Sequence, residues 1–496
     1  MQKVKTTIQN WVKEAGEQVC ACRDRKQGFD AEVNALAARA LENILALPES
    51  RFDAAGADGL FGEKISLWRE TGARDFVERR RPQACPGLPR DFCCDIEGLD
   101  VQQVLIYNGC VAGARGKNLL FPEQTAQLGD KPCVCRLSDL EATPSHRAKL
   151  APFFEAAEKG LHTEKKHVSV RSTADFAQGG PDIGREEQKW LNRALSEDTL
   201  LIYLPEGCRL EKPLQIVSLN HSEKPVFVAT HCWILLEKGA SMHLVQCTDS
   251  HPQAEVFAEG LVEMRLAADA QLEYIRMQNV GDRCKVFHQL DAHLERASRL
   301  VTHFMTLNGG LTQNKVEINL TEPEARADVF GLYLQDKKQQ VSNDIKINHT
   351  APRTYSRELF KGVLDDAARA FFKGHVFVHP QALQTEAYQN NRNLLVSPKA
   401  QANAKPYLEI YADDVQCNHG VTVGQLDEDA LFYMRCRGIP AEAARRLLMR
   451  AYADEILKEV GVEALRGWLD SLVRKRFNGQ LQACQDCVLA CPERTC

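Results

Sequence analysis

Long apolar runs are missing from this 496-residue chain. No segment approaches the ~18 consecutive apolar residues of a membrane-spanning helix, and the opening MQKVKTTIQNWVKEAGEQVCAC lacks the apolar centre of a secretory signal peptide. A soluble, cytoplasmic protein without a membrane partner is therefore expected. A basic excess is missing too: 62 Lys and Arg stand against 67 Asp and Glu, for a net charge of -5 and a pI near 6.3. A nucleic-acid partner would favour a basic face, so none is expected. The sequence also contains no G-x-x-x-x-G-K-[ST] loop, no H-E-x-x-H zinc motif, no G-x-S-x-G elbow and no G-x-G-x-x-G fingerprint. Any nucleotide hydrolysis must come from another chain. No catalytic residue is nominated, because a solenoid enzyme acting on acidic polysaccharide would need convergent Asp, Lys and Arg on one strand face, and no persuasive set is found.

Cysteine, by contrast, is plentiful, at 18 residues. In a short secreted chain that number would signal a disulfide framework. Spread over a large acidic chain without a signal peptide, it reads as mostly reduced thiols.

The first ~165 residues mix helical and irregular texture, with FDAEVNALAARALENILAL as an amphipathic helix and a Gly-rich boundary around VRSTADFAQGGPDIGREEQ. From about Leu200 the texture becomes short β-branched and aromatic runs. An Ala after a turn opens several of them: Ala240, Ala270, Ala297 and Ala325, at spacings of 30, 27 and 28 residues, with closer corners at Ala367, Ala382 and Ala400. Strands and tight corners at that repeat length predict a β-solenoid, in which each coil hydrogen-bonds to the next. A β-sandwich is the rival, since short strands at regular spacing are its signature as well. After Gly424 the pattern turns helical: Asp427 suits a helix start, Gly438 a C′ position and Pro440 the first turn of the next helix. Leu465, Trp468, Leu469, Leu472 and Val473 mark one buried helix face. The resulting division is 1–165 helical or mixed, 166–425 solenoid, 426–480 helical and 481–496 a cysteine-rich tail.

The stretch DDVQCNHG places Cys417 and His419 two residues apart. On a strand they share a face, roughly 6.5–7 Å apart along the backbone, so both could reach one soft metal or cluster. A buried thiol and a satisfied strand-end histidine explain the same spacing.

Two long segments carry a resemblance: SRELFKGVLDDAARAFFKGHVFVHPQALQTEAYQNNRNLLVSPKA, then KPYLEIYADDVQCNHGVTVGQLDEDALFYMRCRGI. With them, the span from about Leu200 to Leu457 resembles the SufB/SufD family of iron–sulfur cluster assembly proteins, in its SufD branch. The D-D-V-x-C-x-H-G motif falls on Asp413, Asp414, Val415, Cys417, His419 and Gly420, and the acidic E-x-E pattern expected of a SufB-like chain is absent here. The resemblance implies a mainly β fold, a right-handed parallel β-helix flanked by N-terminal mixed or helical and C-terminal helical domains. It implies a non-catalytic scaffold subunit that pairs with a SufB-like paralogue and docks a SufC-like ATPase through its C-terminal helices. Sulfur would arrive indirectly, through a cysteine desulfurase system. It nominates His419 as ligand to a nascent iron–sulfur cluster shared with the paralogue, with Cys417 beside it. A stand-alone solenoid enzyme or structural solenoid is the alternative. The apolar side chains Leu431, Phe432, Tyr433, Leu447, Leu448, Tyr452 and Ile456 offer a docking face, on helices expected to be separable from the solenoid.

The tail lies outside the resemblance. Cys484, Cys487, Cys491 and Cys496 follow a C-x2-C-x3-C-x4-C spacing, and four thiols so close in sequence can close around one zinc or one iron–sulfur cluster. The bacterial ferredoxin run needs one further cysteine. Cys20 with Cys22, Cys93 with Cys94, and Cys133 with Cys135 lack the second half of a four-ligand set. His375 and His379 read as half-buried core or edge residues.

Overall fold

The computed structural model describes residues 30–45, 96, 99–115, 126–162, 185–196, 199–220, 226–250 and 253–481. The described chain is mainly β, a parallel solenoid of about 7 turns with helices toward each end. Two sheets, one of ten strands and one of nine, take alternate strands of the chain from Thr199–Leu204 onward, so that successive strands of one sheet are second neighbours in sequence. Every pairing among the strands from Thr199–Leu204 to Val415–Gln425 is parallel, which excludes the antiparallel sandwich. Period-2 alternation turns one side of each strand toward a lumen whose apolar part includes Ile234, Met264, Leu290, Ile318 and Ile347.

The corners explain the sequence repeat, with one correction. At the four corners the repeat marks with Ala240, Ala270, Ala297 and Ala325, a residue at positive φ is followed by a small, fully buried one: Gly239 then Ala240, Asp269 then Ala270, Ala297 then Ser298, Glu324 then Ala325. The small corner residue of the third coil is therefore Ser298, and Ala297 occupies the left-handed position before it. Likewise Ala368, not Ala367, is the buried corner residue of its coil. Only Gly239 among these positive-φ residues takes that backbone without steric cost; Asp269, Ala297 and Glu324 are held there by the stacked coils on either side.

At the N-terminal end both sheets finish in an antiparallel strand. Cys110–Arg115 pairs with Gln102–Tyr107, and Cys133–Arg136 pairs with Thr199–Leu204. The region before residue 166 thus supplies strands as well as helices. Helices α1 (Asp30–Leu45), α2 (Pro144–His162) and α3 (Arg185–Leu195) pack here, α1 burying Leu36, Ala37, Ala40 and Leu41. Trp233 stacks on Phe153 of α2 at 4.9 Å in a core with Cys133, Cys135, Leu201 and Tyr203. Arg193 and Lys189 of α3 bind Glu263 at 2.8 Å and Asp291 at 2.6 Å. Most of the expected Gly-rich boundary lies outside the described residues, and its last residues, from Arg185 onward, begin α3.

At the other end follow α4 (Glu428–Cys436), α5 (Ala441–Leu457) and α6 (Glu463–Phe477). The Asp427 side chain caps α4 by accepting from the Ala430 N–H at 3.0 Å, Gly438 takes positive φ beyond its C-terminus, and Pro440 is the N-cap of α5. Helices α5 and α6 are not a separate lobe. Ala453, Ile456, Leu457, Leu465, Leu469 and Val473 share one apolar cluster with Ile275, Met305, Phe330 and Leu332 on the outer face of the ten-stranded sheet. Lys361 to Glu455 at 2.6 Å, Arg357 to Glu459 at 2.9 Å and Arg476 to Asp336 at 2.7 Å fasten the same contact. Removing these helices would uncover apolar sheet, so they are not separable from the solenoid in the way their sequence suggests.

Candidate functional site at the open end of the solenoid

The last strand of the ten-stranded sheet is Val415–Gln425, and the last of the nine-stranded sheet is Gln401–Ile410. Neither contains a buried residue. Among the described residues each is hydrogen-bonded on one edge only, to Thr385–Leu395 and Arg369–Val378 respectively. Asp413 and Asp414 are exposed in the turn that leads into the terminal strand, and the Asp414 carbonyl accepts from the Gln384 N–H at 2.5 Å.

Register decides where the nominated ligands face. Cys417 lies beside Ala387 and His419 beside Gln389, and both of those neighbours are fully buried in the lumen-facing row of their strand. Cys417 and His419 therefore continue the lumen-facing row onto the open end, on one face as their spacing predicts. Cys417 is half-buried against Val376, Val378, Ala382 and Ala387, and burial raises its thiol above the ordinary range, partly offset by an interaction with the Ala387 backbone. It is a protonated thiol at neutral pH unless a metal displaces the proton. His419 is exposed at the rim.

Two soft donors fit iron or an iron–sulfur cluster, but they are half of a usual four-donor set. Among the described residues no group of three or more His, Cys, Asp or Glu stands ready to hold a metal ion. Cys133 and Cys135 are both buried in an apolar core and belong to no such group. His375 is half-buried on the outer side of its strand, 3.0 Å from Glu409, and His379 is half-buried against Phe377. The tail thiols Cys484, Cys487, Cys491 and Cys496, like Cys20, Cys22, Cys93 and Cys94, lie outside the described residues.

The terminal strand has a second property that spacing rules do not register. VQCNHGVTVGQ carries no charged residue, and Val421 and Val423 are exposed on it. Tyr407 and Ile410 on the last strand of the other sheet, and Tyr411 just after it, are exposed as well. Exposed edge strands are ordinarily protected by charge or proline. The neighbouring edge, Gln401–Ile410, has Lys405, Pro406 and Glu409, whereas the terminal strand has none of these. The legible signal is the absence of charge over 11 residues of a strand with one free edge.

The description "SUF system FeS cluster assembly, SufBD core domain" matches residues 218–452. A SufBD family iron–sulfur cluster assembly protein of Mycobacterium leprae is 33% identical over 318 residues, covering 62% of this chain and 78% of the relative. The chain belongs to the SufB/SufD family, in its SufD branch. The iron–sulfur cluster assembly protein SufD of Escherichia coli is similar at 28% identity, covering 62% of this chain and 74% of its own length. A SufBD family protein of Synechocystis shares 31% identity, covering 59% and 67%. Membership places the chain in the SUF system of iron–sulfur cluster assembly. The matched core domain takes in Cys417, His419, the whole terminal strand and most of α5. No helix among the described residues is long and apolar enough to cross a membrane.

Proposed function

We propose that this SufD-branch chain is a non-catalytic scaffold subunit whose open solenoid end is one half of a cluster-building interface. A SufB-like paralogue adds to the free edge of Val415–Gln425, covers Val421 and Val423, and brings the donors that complete the set begun by His419 and Cys417. Sulfur comes from a cysteine desulfurase system and the ATP-driven step from a SufC-like subunit. The observation that carries this reading is the coincidence of two soft, lumen-facing donors with the one strand among the described residues that is uncharged and unpaired along an edge. His419 leads because it is accessible without rearrangement, while Cys417 must lose a proton held by burial.

The test is cluster formation in the reconstituted assembly. His419→Ala lowers the yield of iron and sulfide bound to the complex several-fold, Cys417→Ala lowers it less, and both complexes stay assembled. Wild-type yield with His419→Ala would remove this residue from the site. The ATPase docks on the surface of α4 and α5, where Phe432, Tyr433 and Leu447 are exposed while Leu431 and Ile456 belong to the interior. Phe432→Ser with Leu447→Ser weakens ATPase capture at least about tenfold, since large exposed apolar side chains supply much of an interface's binding energy. Undiminished capture would place the docking surface elsewhere.

A further inference from the structure

The lumen immediately beneath the terminal strand contains a polar ladder, and one of its atoms has no partner. On Thr385–Leu395 the inward residues are Ala387, Gln389, Asn391 and Asn393, beside Cys417, His419, Val421 and Val423 respectively. The two asparagines are satisfied within the chain. Asn391 donates to the Tyr333 hydroxyl at 3.1 Å, that hydroxyl donates to Asn393 Oδ1 at 2.6 Å, and Asn393 donates to Asn391 Oδ1 at 2.7 Å. Gln389 differs. Its Nε2 donates to both carboxyl oxygens of Glu358, at 3.3 and 3.2 Å, but its Oε1 is buried without a hydrogen-bond partner. The rung paired with Gln389 on the open side is His419.

Glu358 lies one rung further in, beside Gln389, and is fully buried. Because Glu358 engages the Gln389 amide nitrogen from the inner side, the amide is held with Nε2 committed and Oε1 free. Space for that amide is cleared from the opposite sheet: a Cβ at Gly374 would stand 2.1 Å from Gln389 Nε2 and 3.0 Å from Oε1. A buried amide oxygen without a partner costs roughly 1–3 kcal/mol, so a neighbouring donor that can reach it has a reason to do so.

We infer that Gln389 is a positioning residue for His419: its free Oε1 accepts the imidazole N–H when the other ring nitrogen binds metal, and Glu358 orients the amide for that task. The inference rests on the reading of His419 as a ligand. Adjacent strands are about 4.8 Å apart, close enough for a ring on one strand and an amide on the next to meet. A metal-bound histidine ordinarily donates its second N–H to a fixed acceptor, which sets the tautomer and raises the basicity of the ligating nitrogen. Burial raises the Glu358 carboxyl to about 8, so at neutral pH it is largely neutral and its engagement with Gln389 does not require an isolated buried charge.

The experiment is Co(II) titration of the full-length chain purified together with its partners, read by visible absorption for wild type and variants. Gln389→Leu weakens Co(II) binding about 10–100-fold, the usual effect of losing such an outer acceptor. Glu358→Leu has the same sign and Glu358→Gln, which keeps an acceptor for the amide, restores binding. The deciding comparison is the double variant: with His419→Ala already present, Gln389→Leu has no further effect, since the coupling runs only through the imidazole. An undiminished affinity in Gln389→Leu, or an equal loss in the His419→Ala background, overturns the inference. Co(II) binding indifferent to His419→Ala overturns the ligand reading itself. If Gln389→Leu does not fold, the Glu358→Leu and Glu358→Gln pair makes the same decision.

Discussion

The two ends of the solenoid are made of similar β-rich segments and are treated in opposite ways. At the N-terminal end Thr199–Leu204 is buried at every position, backed by an antiparallel strand and by α2 through Trp233. At the C-terminal end Val415–Gln425 has no buried position. A solenoid coil finds its neighbours only above and below, so every such array must end in a rung that lacks one. Among the described residues the first rung is finished and the last is not. The difference teaches that apolar content alone does not make a strand part of the core: Val421 and Val423 are as apolar as Val217 or Val245, and what separates them is whether another strand follows.

The same contrast holds for the buried acids. Burial would raise Glu263, near the N-terminal end, but Arg193 and His231 beside it outweigh that and hold it well below the usual carboxylate range. Glu358, near the open end, has no such cation, and burial raises it to about 8.

The sharpest way to break the comparison is to cut into each end. Trp233→Ala removes a side chain that is 1% exposed and its hydrogen bond to Glu263, and should cost about 3–5 kcal/mol. Val423→Ala should change stability by no more than about 0.5 kcal/mol in the isolated chain. Denaturant unfolding of both variants is the measurement, and equal costs would show that the open end is covered in solution. Next in size is the pH response. Glu358 has a folded pKa above its unfolded value near 4.5, so its contribution is fully present below that value and is lost as pH rises through about 8. Glu263 has a depressed pKa, so its contribution is present above the unfolded value and is lost as pH falls toward the depressed one. Between pH 5 and 8, wild type should lose roughly 3 kcal/mol relative to Glu358→Gln. Parallel pH profiles for the two proteins would mean that Glu358 is ionised in the folded chain. The smallest expected effect on folding, though not on assembly, comes from charging the free edge. Val421→Lys should leave unfolding unchanged within about 0.5 kcal/mol yet weaken association with the paralogue by about 2–3 kcal/mol, because the ammonium would be buried unpaired. Titration calorimetry with unchanged affinity would move the interface off this strand.

The repeat of small corner residues was legible because stacked coils leave room for nothing larger, and that constraint is local to each coil. Its register slipped by one at Ala297 and Ala367, since each of these alanines stands directly before the buried corner residue, Ser298 or Ala368, and only the coordinates tell which of the two adjacent small residues is buried. Cys417 and His419 could be placed on one face from their spacing, because alternation on a strand needs no knowledge of the neighbours. That this face points into the lumen, and that its next rung is Gln389 with an unpartnered oxygen, depends on the register of two strands about a coil's length apart.

The sequence by itself therefore determined the solenoid, the corner chemistry, the SufD-branch motif and the pairing of a thiol with an imidazole, all of which are written in periodicity or in contiguous residues. Tertiary structure alone decided which rung is left open, that α5 and α6 are fastened to the outer sheet and are not a detachable lobe, and that Glu358, Gln389 and His419 stand in one line. The physical reason is distance along the chain. Alternation and tight turns are set by backbone geometry over a few residues, whereas an unfinished edge, a shared apolar face and a stacked polar ladder exist only after coils from separate parts of the sequence have been brought into register.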